Sequence, residues 1–74
     1  MTLEQVRTVH FARPFRPFTI HLADGRKFDV PHPEFLAYSR SGRTLLFVTP
    51  EEDLERIDLL LVTSMTELHG SSAA

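Results

Sequence analysis

The stretch Phe18–Val30, with the sequence FTIHLADGRKFDV, decides the fold of this chain. Apolar and polar residues alternate on both sides of Asp24-Gly25, which is the pattern of two half-buried β-strands joined by a turn. A two-residue loop would place apolar side chains opposite charged ones, whereas a three-residue loop ending in a left-handed Gly25 pairs Ile20 with Phe28. The sequence therefore predicts a hairpin with strands at 18–22 and 26–30.

The same turn pattern recurs at Arg40-Ser41-Gly42, between two further apolar segments. A three-residue loop there pairs Phe35 with Phe47 and predicts strands at 35–39 and 43–49. The run Leu45–Val48 is apolar on both faces, which predicts a strand that is covered on both sides. We expect an N-terminal helix to cover one side, and the interior of a small barrel or a neighbouring subunit to cover the other. Between the hairpins, Pro31-His32-Pro33-Glu34 is too rich in proline for a central strand and predicts a corner or a single helical turn.

The N-terminal segment predicts a helix at 2–12. Thr2 and Gln5 have the spacing of a capping box, in which each side chain accepts a hydrogen bond from the backbone N–H of the other residue. Pro14 disfavours the helical conformation at the residue before it, so the helix is expected to end near Ala12.

Two interpretations are open for the segment after Val48. Thr49-Pro50-Glu51-Glu52 has the composition of a helix start, and apolar residues follow it at helical spacing. The prolyl-acidic run also suits a type I turn, and the residues from Leu59 to Thr66 are typical of β structure. We favour a turn followed by a strand at 55–68 that is broken near 59–62.

The length of 74 residues limits the chain to one small domain, which we expect over 1–69, with a disordered tail at 70–74. A folded chain of this size buries only about 60% of its unfolded surface, so self-association is expected to support the fold. The chain contains no cysteine, which excludes disulfides and thiolate metal sites. No apolar run approaches the roughly 18 residues of a membrane span, and no signal-peptide pattern opens the sequence, so we expect a cytoplasmic protein that does not enter a membrane.

Charge is distributed unevenly along the chain. Residues 1–43 contain seven Lys or Arg and four Asp or Glu, whereas residues 44–74 contain one and six. Such asymmetry predicts either a basic patch or the pairing of opposite patches between subunits. The candidate nucleic-acid contacts are the basic residues at the two hairpin tips, together with two arginines before the first strand that we expect on the same rim. They are Arg26, Lys27, Arg40 and Arg43, with Arg13 and Arg16. The candidate oligomer contacts lie in the last strand, which we expect to join the fourth strand of another copy. These contacts are Leu59, Leu61 and Val62.

The sequence contains no pattern that predicts catalysis or metal binding. His10, His21, His32 and His69 lack the short spacings of a zinc site, and His32 with Glu34 is the best local pair. The serines fall in predicted turns or strands, and no base is placed beside any of them. We therefore expect a protein without enzymatic activity, metal or cofactor.

A short helix followed by five strands, with Ile20–Arg26 closing the first hairpin, resembles the Sm/Hfq-like small barrels that bind RNA. The glycine of that family's second strand and its Tyr-Lys-His sequence have no counterparts in this chain, so no RNA-contacting residue carries over. More closely, four motifs are similar to a family of short uncharacterised bacterial proteins. They are Pro14–Phe18 (PFRPF), Asp24–Arg26 (DGR), Pro31–Leu36 (PHPEFL) and Ile57–Thr63 (IDLLLVT). That resemblance implies no activity and favours strands near residue 57.

These observations predict a mainly β (α+β) fold, with an N-terminal helix followed by a small five-stranded antiparallel barrel of the Sm/Hfq-like kind. The expected function is that of a non-enzymatic, self-associating binding module, with RNA as the ligand that the barrel resemblance implies. The alternative is a protein-interaction or scaffold module that does not bind nucleic acid. The expected partners are further copies of the chain together with either RNA or another protein.

Overall fold

The computed structural model describes residues 1–68, which form one helix and six strands. Helix α1 spans Leu3–His10, and the strands are β1 (Phe18–Leu22), β2 (Lys27–Val30), β3 (Leu36–Tyr38), β4 (Thr44–Val48), β5 (Leu54–Asp58) and β6 (Val62–Glu67). Two short 3₁₀ turns, Pro33–Phe35 and Leu59–Leu61, precede β3 and β6. The strands form two antiparallel sheets, which are sheet A in the order β2-β1-β6 and sheet B in the order β3-β4-β5. The tail predicted at 70–74 lies outside the described residues.

The predicted five-stranded barrel of the Sm/Hfq-like kind is wrong, because the strands form two separate three-stranded sheets that do not close on each other. Strand pairing is interrupted at the two places where the chain passes from one sheet to the other. Pro31 and Pro33 lack backbone N–H groups, so the ladder of β2 cannot continue into β3. The strand predicted at 55–68 is interrupted by the Leu59–Leu61 turn. In that turn the Asp58 carboxylate accepts the Leu60 N–H at 2.9 Å and removes this amide from any ladder.

Helix α1 begins as predicted and is shorter than predicted. The Thr2 hydroxyl accepts from the Gln5 N–H at 3.2 Å, and the Gln5 side chain accepts from the Thr2 N–H at 2.9 Å. The helix ends at His10 because the Ala12 N–H bonds the carbonyl three residues back, of Val9, and leaves the four-residue pattern. Within the described residues, no helix has the length and hydrophobicity needed to cross a membrane.

The first hairpin has the predicted register and turn. Ile20 pairs with Phe28, and the loop between β1 and β2 is closed by the Gly25 N–H, which bonds the Leu22 carbonyl at 3.0 Å. Gly25 has a φ of 94°, a conformation that glycine adopts without the steric cost of a side chain. The alternation of apolar residues and the turn chemistry therefore agree in this hairpin.

The register predicted for the second hairpin is wrong by one residue, since Phe47 pairs with Leu36 and not with Phe35. The loop has four residues, Arg40–Arg43, and a backbone hydrogen bond of 2.8 Å joins the residues that flank it. This register places Leu36 beside Phe47 on the buried side of sheet B, while Phe35 belongs to the 3₁₀ turn.

The segment after Thr49 forms a turn and strands, as we favoured over a second helix. The Glu52 N–H bonds the Thr49 carbonyl at 2.8 Å, after which β5 pairs with β4 and β6 pairs with β1. Strand β4 is therefore the central strand of sheet B and is paired on both sides. The expectation that the last strand of one copy joins the fourth strand of another is wrong, because β4 has no free edge.

The core lies between the two sheets and beneath α1. Every strand and the helix contribute buried apolar side chains, which are Val6, Phe18, Ile20, Leu22, Val30, Leu36, Leu45, Phe47, Ile57 and Val62. The sheets meet directly where the Phe28 and Phe47 rings lie 5.2 Å apart. The helix closes the core by contacting both sheets, since His10 packs against Phe18 of sheet A and bonds Tyr38 of sheet B.

Candidate functional site

The basic residues predicted to contact nucleic acid do not all lie together. Arg13 and Arg16 lie in the loop before β1, whereas Arg26 and Lys27 follow the turn after it. Strand β1 has five residues, so the two pairs are separated by about 17 Å along the strand. The predicted set is therefore divided between opposite ends of sheet A.

The Leu59–Leu61 turn joins the Arg26 end of sheet A to the β3–β4 turn of sheet B. The Leu59 N–H bonds the Arg43 carbonyl at 2.8 Å, and the Ala23 N–H bonds the Leu61 carbonyl at 2.8 Å. The structure thus brings four of the predicted basic residues to one end of the fold, which are Arg26, Lys27, Arg40 and Arg43.

Arg26 is already paired within the chain. Its Nε lies 2.9 Å from Asp24 Oδ2, and its guanidinium lies over the Phe28 ring at 5.8 Å from the centroid. Hydrogen bonds, the strongest from the Arg26 backbone N–H, hold the pKa of Asp24 below its ordinary value. Asp24 therefore stays ionised at neutral pH and offsets the charge that Arg26 would offer to a phosphate.

The residues predicted for oligomer contact have different surroundings. Val62 is 2% exposed and belongs to the core, so its assignment to an interface is wrong. Leu59 is partly buried against the core, whereas Leu61 is 37% exposed. Leu60, between them, is 83% exposed on a backbone that the Asp58 carboxylate holds in place.

A larger apolar surface lies on the side of sheet B that faces away from the core, which we call the outer face. Side chains alternate along each strand, so the residues between the buried positions of β3, β4 and β5 point outward. The apolar members of the outer face are Ala37, Leu46, Val48 and Leu54, and the exposed Arg56 lies on the same face, opposite Leu46. Leu54 and Val48 are cross-strand neighbours with exposed fractions of 52% and 38%. Adjoining exposed apolar side chains such as Val48 and Leu54 are found at interaction sites.

The turns at the two ends of β4 carry opposite charges. The basic turn, Arg40–Arg43, contributes two cations and no acidic residue, whereas the acidic turn, Pro50–Asp53, contributes three carboxylates. Strand β4 has five residues, so the turns lie about 17 Å apart at opposite ends of the outer face. Beside the basic turn lies an open groove of about 550 Å³, lined by Arg43, Thr44, Asp58, Leu59 and Leu60.

Glu52 occupies a strained backbone position in the acidic turn. Its φ is 70°, in the left-handed region that costs a residue other than glycine roughly 1–2 kcal/mol. The other two hairpin loops have glycine at their left-handed positions, with φ of 94° at Gly25 and 77° at Gly42. A glutamate therefore occupies a position where glycine would be less strained, which points to a role for its charge.

A buried network joins α1 to β3. His10 is 3% exposed, with Nδ1 at 2.7 Å from the Tyr38 hydroxyl and Nε2 at 2.7 Å from the Pro33 carbonyl oxygen. Because a carbonyl only accepts, Nε2 donates to Pro33, and Nδ1 bonds the Tyr38 hydroxyl. Both ring nitrogens are used within the chain, so His10 supports the fold.

The ionisation of Tyr38 provides a direct test of this network. Burial raises the pKa of Tyr38 to about 12, against a smaller opposing effect of the Arg7 charge. Tyr38 is the only tyrosine in the sequence, so ultraviolet absorbance follows its titration alone. We expect a midpoint near pH 12 in the folded chain and near the ordinary value of about 10 in urea.

The raised pKa of Tyr38 also determines how the stability of the fold depends on pH. The folded state holds the Tyr38 proton more tightly than the unfolded state, so stability is expected to fall as the pH rises from about 10 to 12. A native midpoint equal to the midpoint in urea would contradict the buried environment of Tyr38.

His21 makes the arrangement closest to a catalytic pair. Its Nε2 lies 3.0 Å from the Thr66 hydroxyl, across the strands of sheet A. Catalysis by such a pair needs a third group that orients the imidazole, and no carboxylate within residues 1–68 bonds the other ring nitrogen. Over the same residues, no three His, Asp or Glu side chains lie close enough together to hold a metal ion.

Sequence reasoning missed two residues of the candidate site. Leu54 belongs to the outer face because of its pairing with Val48, which the sequence pattern did not define. Glu52 was seen only as part of an acidic turn. The feature that could have identified Glu52 is that the other two hairpin loops have glycine at the left-handed position, whereas this loop has none.

Comparison with known proteins identifies a solved structure with a similar fold. No protein-family model matches the chain, and no curated protein matches it. The solution NMR structure of a putative lipoprotein from Pseudomonas syringae is similar, with a TM-score of 0.53 and 23% sequence identity, over 72% of this chain and 93% of that one. At this level of identity, the similarity shows that the two proteins share the arrangement of a small β-rich fold.

Proposed function

We propose that this chain is a non-enzymatic protein-interaction module that self-associates through the outer face of sheet B. The observation that carries the proposal is the arrangement of the outer face, which has exposed apolar residues, with Arg56 beside them, between a basic turn and an acidic turn. A surface of this kind is complementary to itself when a second copy is related to the first by a two-fold axis.

The arrangement of the pair follows from the order of the charges. A two-fold axis that lies between the copies, parallel to the sheets and perpendicular to β4, places Leu46, Val48 and Leu54 of one copy against the same surface of the other, at the roughly 10 Å spacing of packed sheets. This axis also brings the Arg56 side chains of the two copies near each other, and their like charges limit the affinity. The basic turn, Arg40–Arg43, then lies over the partner's acidic turn, Pro50–Asp53, and the contact occurs twice. Such an interface closes on itself and adds no third copy.

The strained backbone of Glu52 supports this proposal. Its position favours glycine, so the carboxylate is explained by a favourable contact that glycine cannot make. In the proposed pair that contact is with the basic turn of the second copy, where opposite charges fix the register of the two surfaces.

Replacing Glu52 with glycine is therefore expected to have two opposite effects. The free energy of unfolding of the single chain should rise by about 1 kcal/mol, because the left-handed strain is removed, while self-association should weaken. Glu51→Gly is the matched control, since it removes an equal charge from a residue whose φ lies outside the left-handed region. It should weaken association without raising stability.

Urea denaturation of dilute protein measures the first effect, and sedimentation of concentrated protein measures the second. Equal stabilities of the Glu51→Gly and Glu52→Gly proteins would contradict the strain. Unchanged association in both would contradict the role of the acidic turn.

The distribution of charge favours this function over RNA binding. Phosphate recognition needs an excess of free cations along one surface. Of the four basic residues at one end of the fold, Arg26 is offset by Asp24. Arg13 and Arg16 lie at the other end of sheet A.

Sedimentation velocity over a dilution series tests the proposal. The outer face is smaller than a standard interface, so we expect a weak dimer with a dissociation constant on the order of 100 µM. Well above that concentration the mass should approach that of two chains, and added salt should lower it by screening the charged turns. A single-chain mass at every concentration would overturn the proposal. Binding of a fluorescent RNA oligonucleotide at low salt, without self-association, would favour the nucleic-acid function instead.

A further inference from the structure

A small pocket lies where the end of α1, the loop after it and the Pro33–Phe35 turn meet. Its volume is about 270 Å³, and it is lined by His10, Phe11, Ala12, Arg13, Phe15 and Pro33. No residue of the outer face lines this pocket, so the two surfaces are separate. The volume is near the lower limit of small-molecule sites and suits one aromatic ring or one branched aliphatic group.

The walls of the pocket are aromatic rings that contact other side chains of the chain. The Phe11 ring lies 4.4 Å from the His10 ring, and the Arg7 guanidinium lies over Phe11 at 5.5 Å from its centroid. Phe15 packs edge-on against the buried ring of Phe18 at 6.0 Å. These contacts form the pocket within the chain itself, so a ligand need not order its walls.

The ring nitrogens of His10 are already paired within the chain. Nδ1 bonds the Tyr38 hydroxyl and Nε2 bonds the Pro33 carbonyl, so the imidazole offers no hydrogen bond to a ligand. A polar ligand group placed against the His10 ring would lose its water and gain no partner from that ring. The buried part of a ligand is therefore apolar.

Arg13 is the charged residue of the lining. Within residues 1–68, no carboxylate lies within ion-pair distance of Arg13, whereas Arg26 is held by Asp24. A guanidinium binds a carboxylate through two parallel hydrogen bonds, which fix both distance and orientation. We propose that the pocket binds an aryl or branched alkyl carboxylate, with the apolar group between the rings and the carboxylate on Arg13. The ligand is either a free small acid or the last residue of a peptide.

NMR titration of the isotope-labelled chain with hydrocinnamate tests this inference. We expect saturable shifts in the amides of residues 11–15 and 33–35. Hydrocinnamamide has the same ring without the charge, and we expect it to bind about tenfold more weakly because the charged hydrogen bonds are lost. N-acetyl-glycyl-phenylalanine with a free carboxylate is the peptide probe. Tighter binding of this peptide than of hydrocinnamate would support a chain end as the ligand, and equal or weaker binding would support a free acid.

Two cationic residues of the same loop provide a matched pair of variants. Arg13→Gln should lower the affinity for hydrocinnamate about tenfold and leave that for the amide unchanged. Arg16→Gln changes another exposed arginine that does not line the pocket, and we expect it to bind both compounds as the unmodified chain does. Phe11→Ala removes a wall from a side chain that is 55% exposed, so the fold should persist while both compounds bind more weakly.

Equal affinity for acid and amide, unchanged affinity in Arg13→Gln, or no saturable shift at the pocket would overturn this inference. The titrations are made on dilute protein, where the chain is expected to be single. Their outcome is therefore independent of self-association through the outer face.

Discussion

Replacing Phe18 with alanine is expected to leave the protein largely unfolded at room temperature. Phe18 is fully buried, and its ring packs against the rings of His10 and Phe15 at 6.5 and 6.0 Å. Removing such a ring costs about 3–5 kcal/mol, through lost burial and the cavity that remains. A domain of this length has a total stability on the order of 5 kcal/mol, so the substitution removes most of it.

Phe11→Ala is the matched control for this substitution. It removes the same side chain from the loop directly after α1, where Phe11 is 55% exposed, and is expected to cost about 1 kcal/mol or less. Urea denaturation followed by circular dichroism compares the two proteins. If Phe18→Ala had the same denaturation midpoint as Phe11→Ala, Phe18 could not lie at the centre of the core.

Replacing Leu54 with arginine is expected to raise the dissociation constant for self-association about a hundredfold or more. Leu54 is 52% exposed on β5, so the fold of the single chain does not depend on it. In the proposed pair, residue 54 lies beside the acidic turn and faces the partner's basic turn. An arginine there removes an apolar contact and lies close to the cations of the partner's basic turn. Because the pair is symmetric, this unfavourable contact occurs twice.

Leu61→Arg is the control for Leu54→Arg. Leu61 is 37% exposed on the 3₁₀ turn before β6 and does not belong to the outer face. We expect the Leu61→Arg protein to associate as the unmodified chain does when both are compared by sedimentation. This control also separates the outer face from the interface predicted by sequence, which included Leu61. Loss of association in Leu61→Arg but not in Leu54→Arg would place the interface at the Leu59–Leu61 turn.

Local signals in the sequence predicted the elements that depend on neighbouring residues. The capping box of Thr2 and Gln5 and the glycine turn of the first hairpin were predicted correctly because each is complete within a few positions. The pairing of β6 with β1 joins distant parts of the chain, and no local pattern indicates which edge of β1 is available. The barrel prediction failed at the two connections where the sheets separate, the prolines between β2 and β3 and the Leu59–Leu61 turn between β5 and β6.

The register error in the second hairpin has a similar cause. Phe35 and Leu36 are both apolar, so the pattern alone does not decide which of them faces the core opposite Phe47. The presence of Gly42 suggested the same three-residue loop as in the first hairpin. In the structure Gly42 is the third of four loop residues, and this shifts the pairing by one position.

The candidate site was only partly visible in the sequence. The charge asymmetry and the two-sided apolar character of Leu45–Val48 indicated that a second copy was a candidate partner. The sequence could not place Leu54 on the same face, because that position depends on the register of β5 against β4. Val62 was assigned to the interface because a run of leucines and a valine does not show which member turns toward the core.

The most direct test of the outer face as the self-association surface is to follow backbone amide shifts by NMR as the protein is diluted. We expect concentration-dependent shifts in β4, β5 and the turns at Arg40–Arg43 and Pro50–Asp53, with none in β1 or β2. Shifts that are independent of concentration, or that cluster on sheet A, would contradict self-association through the outer face of sheet B.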